Sequence, residues 1–292
     1  MRSEADSRLD ERAVRRAFER ASRDYDAHAV IGVAARAEIL ARLELLKIEP
    51  EVILDLGTGT GHGARALRDR WHSARVIALD RSPGMLREAH HAQSWRRRFD
   101  RVCADAARLP VRDGGIDLVY SNLMLHWSSD LDAVLREVRR VLAPRGCFTF
   151  STVGPDTLAE LRAAWNEVDA AVHVHRFLDL HDIGDALLRA GFADPVMDVD
   201  RHTLSYADLR TLMRELKALG SHNALAGRAA GLTGRGRFAR VAAAYERWRN
   251  ADGRLPATCE VVYGQAWCPA TTPPVRGQRR EVVVPLDSLR RR

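Results

Sequence analysis

Lysine is nearly absent from this chain. Of 46 Lys and Arg residues, only Lys47 and Lys217 are lysines. The formal net charge is +7, but so strong an arginine bias reads as compositional and argues poorly for a nucleic-acid partner. The charge is also unevenly spread. Across residues 269–292, Arg276, Arg279, Arg280, Arg290, Arg291 and Arg292 meet only Glu281 and Asp287, so +4 of the +7 sits in a Pro/Thr/Arg-rich tail whose composition predicts disorder. No apolar run approaches the ~20 residues that cross a bilayer, so no membrane partner is expected. Residues 1–12 are charged and hold no apolar signal segment. That argues against export and for a cytoplasmic location. Cysteine is sparse. Cys103, Cys147, Cys259 and Cys268 form no C-x-x-C pair, which points to reduced structural thiols and no zinc site. No Ser/His/Asp set or metal-ligating cluster demands explanation, so no metal is expected.

What is present can build one large core, since 46% of the 292 residues are apolar. Val52-Ile53-Leu54-Asp55-Leu56 reads as a buried strand running into Gly57-Thr58-Gly59-Thr60-Gly61, with a helix to follow over residues 63–71. Glycines at alternate positions let the backbone approach a ligand closely and open the next helix N-terminus toward it. Alone, such a loop could be any tight strand-to-helix turn. The second strand, residues 74–79, ends in Asp80, roughly 20 residues beyond the loop, where an acidic side chain binds a ribose diol. Helping to start the next helix is the rival role for Asp80, but Ser82-Pro83 already supplies a cap and a first-turn proline. The third strand, residues 101–104, ends in Asp105-Ala106, where an aspartate accepts from an adenine amino group or simply makes a turn. The fourth, residues 116–121, ends in Asn122. Open α/β sheets bind ligands at this carboxyl edge. The cofactor-binding set is therefore Asp55, Gly57, Gly59, Gly61, Asp80, Arg81, Asp105, Ala106 and Asn122.

The remaining pattern predicts helices over residues 9–22, 30–46, 131–142, 155–171 and 182–190, and strands over 147–152, 196–204 and 257–267, the last antiparallel. The domain layout is a helical cap at 1–48, an α/β core at 49–204, a helical insertion at 205–256, a last strand at 257–268 and the tail at 269–292. The insertion costs ordering entropy, so it is expected to cover something. In it Leu212, Leu216 and Leu219 form one stripe, while Arg214 and Lys217 share another face that is otherwise simply solvated.

Asp55 through Gly61 resembles the first motif of S-adenosylmethionine-dependent methyltransferases. Further segments narrow the resemblance: Tyr25-Asp26-Ala27-His28, Ser121-Asn122-Leu123-Met124-Leu125-His126-Trp127, Phe150-Ser151-Thr152-Val153-Gly154-Pro155-Asp156, and residues 177–187, 212–223 and 258–267. Together they look like the malonyl-acyl-carrier-protein O-methyltransferases of biotin synthesis, over nearly the whole chain to Trp267. The tail is outside that pattern, and His175-Arg176 looks unusual within it. The resemblance implies a Rossmann-like class I α/β fold: seven mostly parallel strands with helices on both faces, N-terminal helices, and an insertion before the last strand. It implies S-adenosylmethionine as cofactor, S-adenosylhomocysteine as product, and malonyl-acyl carrier protein or malonyl-coenzyme A as substrate, with no stable nucleic-acid partner. A malonyl carboxylate ionises in the acid range, about 3–4 by analogy with side chains, so no general base is required. Alignment in a dry pocket is required, and it can be worth ~7–11 kcal/mol in ideal cases. Tyr25 and His28 are expected on a flap over the methyl site and Trp127 or His126 in its wall, with core packing as the alternative for each. Arg214, beside Lys217, is the candidate for holding one carboxylate oxygen. Arg228, Arg235, Arg237 and Arg240 are candidates for guiding an acidic carrier. Two other outcomes stay open: a non-methylating arginine hydroxylase and assembly factor of the same superfamily, and a methyltransferase acting on a small molecule or RNA.

Overall fold

The computed structural model describes residues 9–228 and 233–270; the basic tail read in the sequence lies, beyond residue 270, outside them. Seven strands form one sheet: β1 Val52–Leu56, β2 Arg75–Asp80, β3 Asp100–Cys103, β4 Ile116–Asn122, β5 Leu142–Val153, β6 Ala193–Tyr206 and β7 Leu255–Trp267. Their order is β3-β2-β1-β4-β5-β7-β6. The first five are parallel, and β7 runs antiparallel to both β5 and β6. Strand order reverses between β1 and β4, the crevice where open α/β sheets take ligands.

Side chains alternate between the two faces, and both faces are covered. Leu54, Leu56 and Val119 pack with α6 (Leu131–Val141) and α8 (Leu180–Arg189). Ile53, Val76, Ala78 and Leu118 pack with α3 (Val30–Glu44), α4 (His62–Arg70) and α5 (Pro83–His91). The caps follow the sequence signals: Ser82 accepts from the Met85 amide with Pro83 in the first turn, and Asp130 accepts from the Ala133 amide.

The helix expected over 155–171 is shorter. It is α7, Ala159–Asn166. Residues 154–158 are instead hooked onto β7: the Gly154 and Leu158 amides donate to the carbonyls of Glu260 and Thr258, and the Asp156 amide donates to the Glu260 carboxylate at 2.8 Å. Tertiary bonds thus override helical propensity there. Strands β6 and β7 run beyond their expected ends because their ladder continues to Tyr206 opposite Leu255, and β5 begins earlier because Leu142 pairs with Ile116 of β4.

Two elements overhang the carboxyl edge. Between β6 and β7, α9 (Leu209–Ala218) and α10 (Arg235–Tyr245) share a core with α7 that includes Leu161, Trp165, Leu212, Val241 and Tyr245. From the other side, α1 (Glu11–Ala21) and α2 (Tyr25–His28) close over the loops. Ala13 and Val14 of α1 pack on Ala224 of the insertion, and the Asp10 amide donates to the Ala224 carbonyl at 2.8 Å. Cap and insertion therefore meet above the sheet edge.

Candidate active site

Gly57, Gly59 and Gly61 all take positive φ, at 75°, 55° and 82°, which glycine adopts without the Cβ clash. They differ in what lies beside them. A Cβ on Gly57 would sit 2.3 Å from Met124 Cγ, and one on Gly61 would sit 2.8 Å from Ala89 Cβ, whereas one on Gly59 would meet nothing within 4 Å. The outer two glycines are required by packing, and the middle one faces open space.

Asp80 lies against that open space. One carboxylate oxygen accepts from the Gly59 amide at 2.9 Å and the other from the Ser82 amide at 2.8 Å. It therefore sets the loop and also helps begin α5, the rival role weighed for it. Burial raises its pKa against the pull of these amides. Asp55 works from beneath. It is buried, accepts from the Thr58 hydroxyl at 2.6 Å, and has its pKa pushed up to about 7 by burial. It shapes the loop from below, a different task from the ligand contact expected of it.

Asn122 is likewise turned to bracing. Its amide nitrogen donates to the Gly32 carbonyl at 3.0 Å, and its oxygen accepts from the Ser151 hydroxyl at 2.7 Å. That ties α3 and β5 to the end of β4. Asp105 accepts from the Ala107 amide at 2.9 Å, so Asp105 and Ala106 occupy one tight turn after β3. Arg81 donates to Glu11 at 3.2 Å and ties the α1 cap to the end of β2.

That last contact belongs to a set of latches that no local pattern announced. Glu11 also accepts from the Ser129 hydroxyl beyond β4. Glu19 accepts from the Ser82 hydroxyl at 2.8 Å, the Gly84 amide at 2.6 Å and Arg87 at 2.7 Å. Asp26 accepts from the Thr60 hydroxyl at 2.6 Å and lies 3.0 Å from His62 Nε2. Carboxylates of the N-terminal helices thus hold the loops that follow β1, β2 and β4.

Beneath the cap and the insertion lies a cavity of about 1250 Å³, above the ~300–1,000 Å³ of ordinary small-ligand pockets. Tyr25, His28 and Trp127 all line it, together with Leu123 and His126 at the end of β4. Phe18 meets the Trp127 ring edge-on at 5.2 Å, and His175 meets it from elsewhere at 5.5 Å. Burial, with the Asp80 and Asp26 charges, pushes the Tyr25 hydroxyl up to about 12, so it stays protonated. Burial, then the neighbouring His175, takes His126 down to about 3, so its ring stays neutral.

Cations ring the mouth. Arg214 and Lys217 line the cavity but are exposed, and Arg214 donates to the Thr211 hydroxyl at 3.1 Å. Arg228 and Arg237 line it too, each 3.6 Å from a carboxylate, Asp10 and Asp169 respectively. Arg235 joins them, whereas Arg240 is exposed and off the lining.

The residues at the loop fit an adenosyl ligand. Gly59 offers an unobstructed face, Asp80 is a buried acceptor beside it, and the N-terminus of α4 has no side-chain cap. Comparison with known proteins agrees. Residues 54–150 match the family described as a methyltransferase domain. The chain is 48% identical over 285 residues to the malonyl-[acyl-carrier protein] O-methyltransferase of Halorhodospira halophila, covering 97% of both chains. It is 50% identical over 267 residues to the enzyme of the same name from a Methylovorus species, covering 89% of this chain and 90% of that one. Among solved structures, a SAM-dependent methyltransferase from Thermotoga maritima superposes with a TM-score of 0.52 at 15% identity, over 87% of this chain and 99% of that one; this likeness concerns the fold alone.

Proposed function

The chain belongs to the malonyl-[acyl-carrier protein] O-methyltransferases, and from that premise we propose how its own residues serve the transfer of a methyl group to the free carboxylate of a malonyl thioester. S-adenosylmethionine, when bound, supplies an electrophilic methyl that passes to a carboxylate oxygen, leaving the malonyl methyl ester and S-adenosylhomocysteine. The reaction moves no proton, because the attacking carboxylate is already ionised near neutral pH. That agrees with the two walls Tyr25 and His126, which keep one protonation state across the physiological range.

Asp80 would accept from the cofactor's hydroxyls beside the open face at Gly59, with the turn at Asp105-Ala106 flanking its base. Tyr25, His28 and Trp127 would enclose the reacting end and exclude water, which favours an aligned attack. The rim of Arg214, Lys217 and Arg235 would draw an acidic carrier and receive the phosphate of its prosthetic arm. Esterification removes a charge that apolar chain-extending enzymes could bury only at high cost, which suits an early step of biotin synthesis.

The observation that carries this reading is the near-full-length kinship, joined to one deep cavity that opens beside the carboxyl ends of β4 and β5. The test is mass spectrometry of malonyl-loaded carrier incubated with the protein and S-adenosylmethionine. One added methyl on the malonyl group is expected. An unmodified carrier alongside a tight cofactor complex would overturn the reading and favour the non-methylating branch.

A further inference from the structure

A second cavity, of about 900 Å³, lies against the first. His126, Val153, Trp165, His175 and Phe177 border both. His126 follows β4, and Thr152 and Val153 end β5, so the second cavity touches the same sheet edge as the first. The His126 ring lies 3.3 Å from the Thr152 hydroxyl and 5.8 Å from the Phe177 ring, forming part of the shared wall.

Two guanidiniums line this second cavity. Arg162, on α7, has its fork tied to the backbone: Nη1 donates to the Pro155 carbonyl at 3.1 Å and Nη2 to the Thr157 carbonyl at 2.9 Å. Its Nε is buried with no acceptor among the described residues. Arg176 lines the same cavity and makes no hydrogen bond or ion pair to a described residue. Negative charge nearby is paired with cations, although the buried Asp169 Oδ2 accepts no hydrogen bond from a described residue. Asp169, the carboxylate on this lining, lies 2.8 Å from His173 and 3.6 Å from Arg237, and Asp156 is paired with Arg201. The Arg162 pKa is drawn down by burial and then by the charge of Arg176, against a smaller opposing pull from Asp156.

Resting on the function proposed above, we infer that the acid end of the malonyl group seats where the two cavities meet beside His126, held from the second-cavity side by Arg162 and Arg176, and not beneath Arg214. A cavity lined by two guanidiniums with donors to spare suits a carboxylate, which needs cationic partners when taken out of water. The geometry also suits the chemistry. Arg162 uses one N–H of each Nη on a backbone carbonyl, which fixes its guanidinium beside the cavity, and a remaining N–H can hold one oxygen while the other stays free to attack. A two-pronged clamp would occupy both. Arg176 adds charge, and the neutral His126 ring can donate without adding more. Arg214, exposed and bonded to Thr211 at the mouth of the other cavity, is placed for the carrier's phosphate instead.

Binding of malonyl-loaded and acetyl-loaded carrier protein to the full chain, with S-adenosylhomocysteine present, tests this by calorimetry. The acetyl form lacks only the acid. The wild type should prefer the malonyl form. Arg176→Ala and Arg162→Gln should each lose about 10- to 100-fold for the malonyl form and leave the acetyl form unchanged. Arg214→Ala should weaken both alike. The inference is overturned if the wild type shows no preference, if the Arg162 and Arg176 variants weaken both carriers equally or neither, or if Arg214→Ala alone abolishes the preference. Arg176 is exposed, so its variant stays informative even if Arg162→Gln disturbs the turn at residues 154–158. A wild type that methylates no malonyl carrier would sink the underlying function, which is a separate result.

Discussion

Glu19 on α1 accepts a hydrogen bond from the Gly84 amide at 2.6 Å in the first turn of α5. A carboxylate there satisfies a free helix amide and meets the positive end of the helix. The same side chain holds the Ser82 hydroxyl and Arg87, and these partners keep its pKa low despite the opposing effect of burial. The contact matters because Ser82 is also bonded to Asp80. A residue far away in the chain thereby steadies the acceptor expected to hold the cofactor.

Glu19→Ala should cost about 1–3 kcal/mol of stability, the range for hydrogen bonds to a charged group, and should also weaken S-adenosylmethionine binding. Urea unfolding and calorimetry measure the two effects. Losing stability with cofactor affinity intact would mean the latch is structural only.

Asp80→Ala should weaken S-adenosylmethionine binding by about 1–3 kcal/mol, because it removes both a ligand acceptor and the bond that orients Gly59. Titration of the cofactor checks this. Unchanged affinity would remove Asp80 from the site.

The glycines of the loop should separate by role. Gly57→Ala drives a Cβ into Met124 and should destabilise the protein. Gly59→Ala should cost only the left-handed backbone strain, roughly 1–2 kcal/mol, yet reduce cofactor affinity sharply because its Cβ enters the open face. Equal losses of stability in the two variants would contradict this division.

His175 is buried, and burial, with His222 nearby, holds its pKa down at about 4. The unfolded chain, titrating near 6.5, binds more protons than the folded one between those values. Stability should therefore fall as pH drops from about 6.5 toward 4, by up to about 1.4 kcal/mol per pH unit from this group. Asp55 acts in the opposite sense, since its raised folded value makes the folded state the proton binder below about 7. His175→Gln isolates the histidine, because glutamine can still accept from the Ala224 amide that His175 Nε2 now receives at 3.1 Å. Urea unfolding at pH 7.5 and 5.5 should show a smaller acid loss in the variant. Identical losses would refute the assignment.

Much of the site was legible in the chain because its parts are local. The glycine turn, Asp80 and the Ser82-Pro83 start of α5 lie next to the strands that place them, and each strand ends at the same edge. The misread helix over 155–171 has a different cause. Its first residues form turns as well as helix, and only the bonds to Glu260 and Thr258, about a hundred positions away in sequence, decide between the two. Asn122 and Asp55 were recognised as site residues by position. Whether such a side chain faces a ligand or braces the scaffold depends on partners such as Gly32 and Ser151, which no local spacing reveals.

The sequence alone determined the parallel core, the glycine loop, the acidic strand ends and the kinship, since periodicity and turn chemistry act over a few residues. The tertiary structure alone decided what those elements enclose. It brought Glu11, Glu19 and Asp26 onto the loops, set Arg162 and Arg176 on one cavity and Arg214 on another, and left the Arg162 Nε without an acceptor. Those outcomes arise from packing between distant segments, where burial and charge depend on neighbours that only the folded chain supplies.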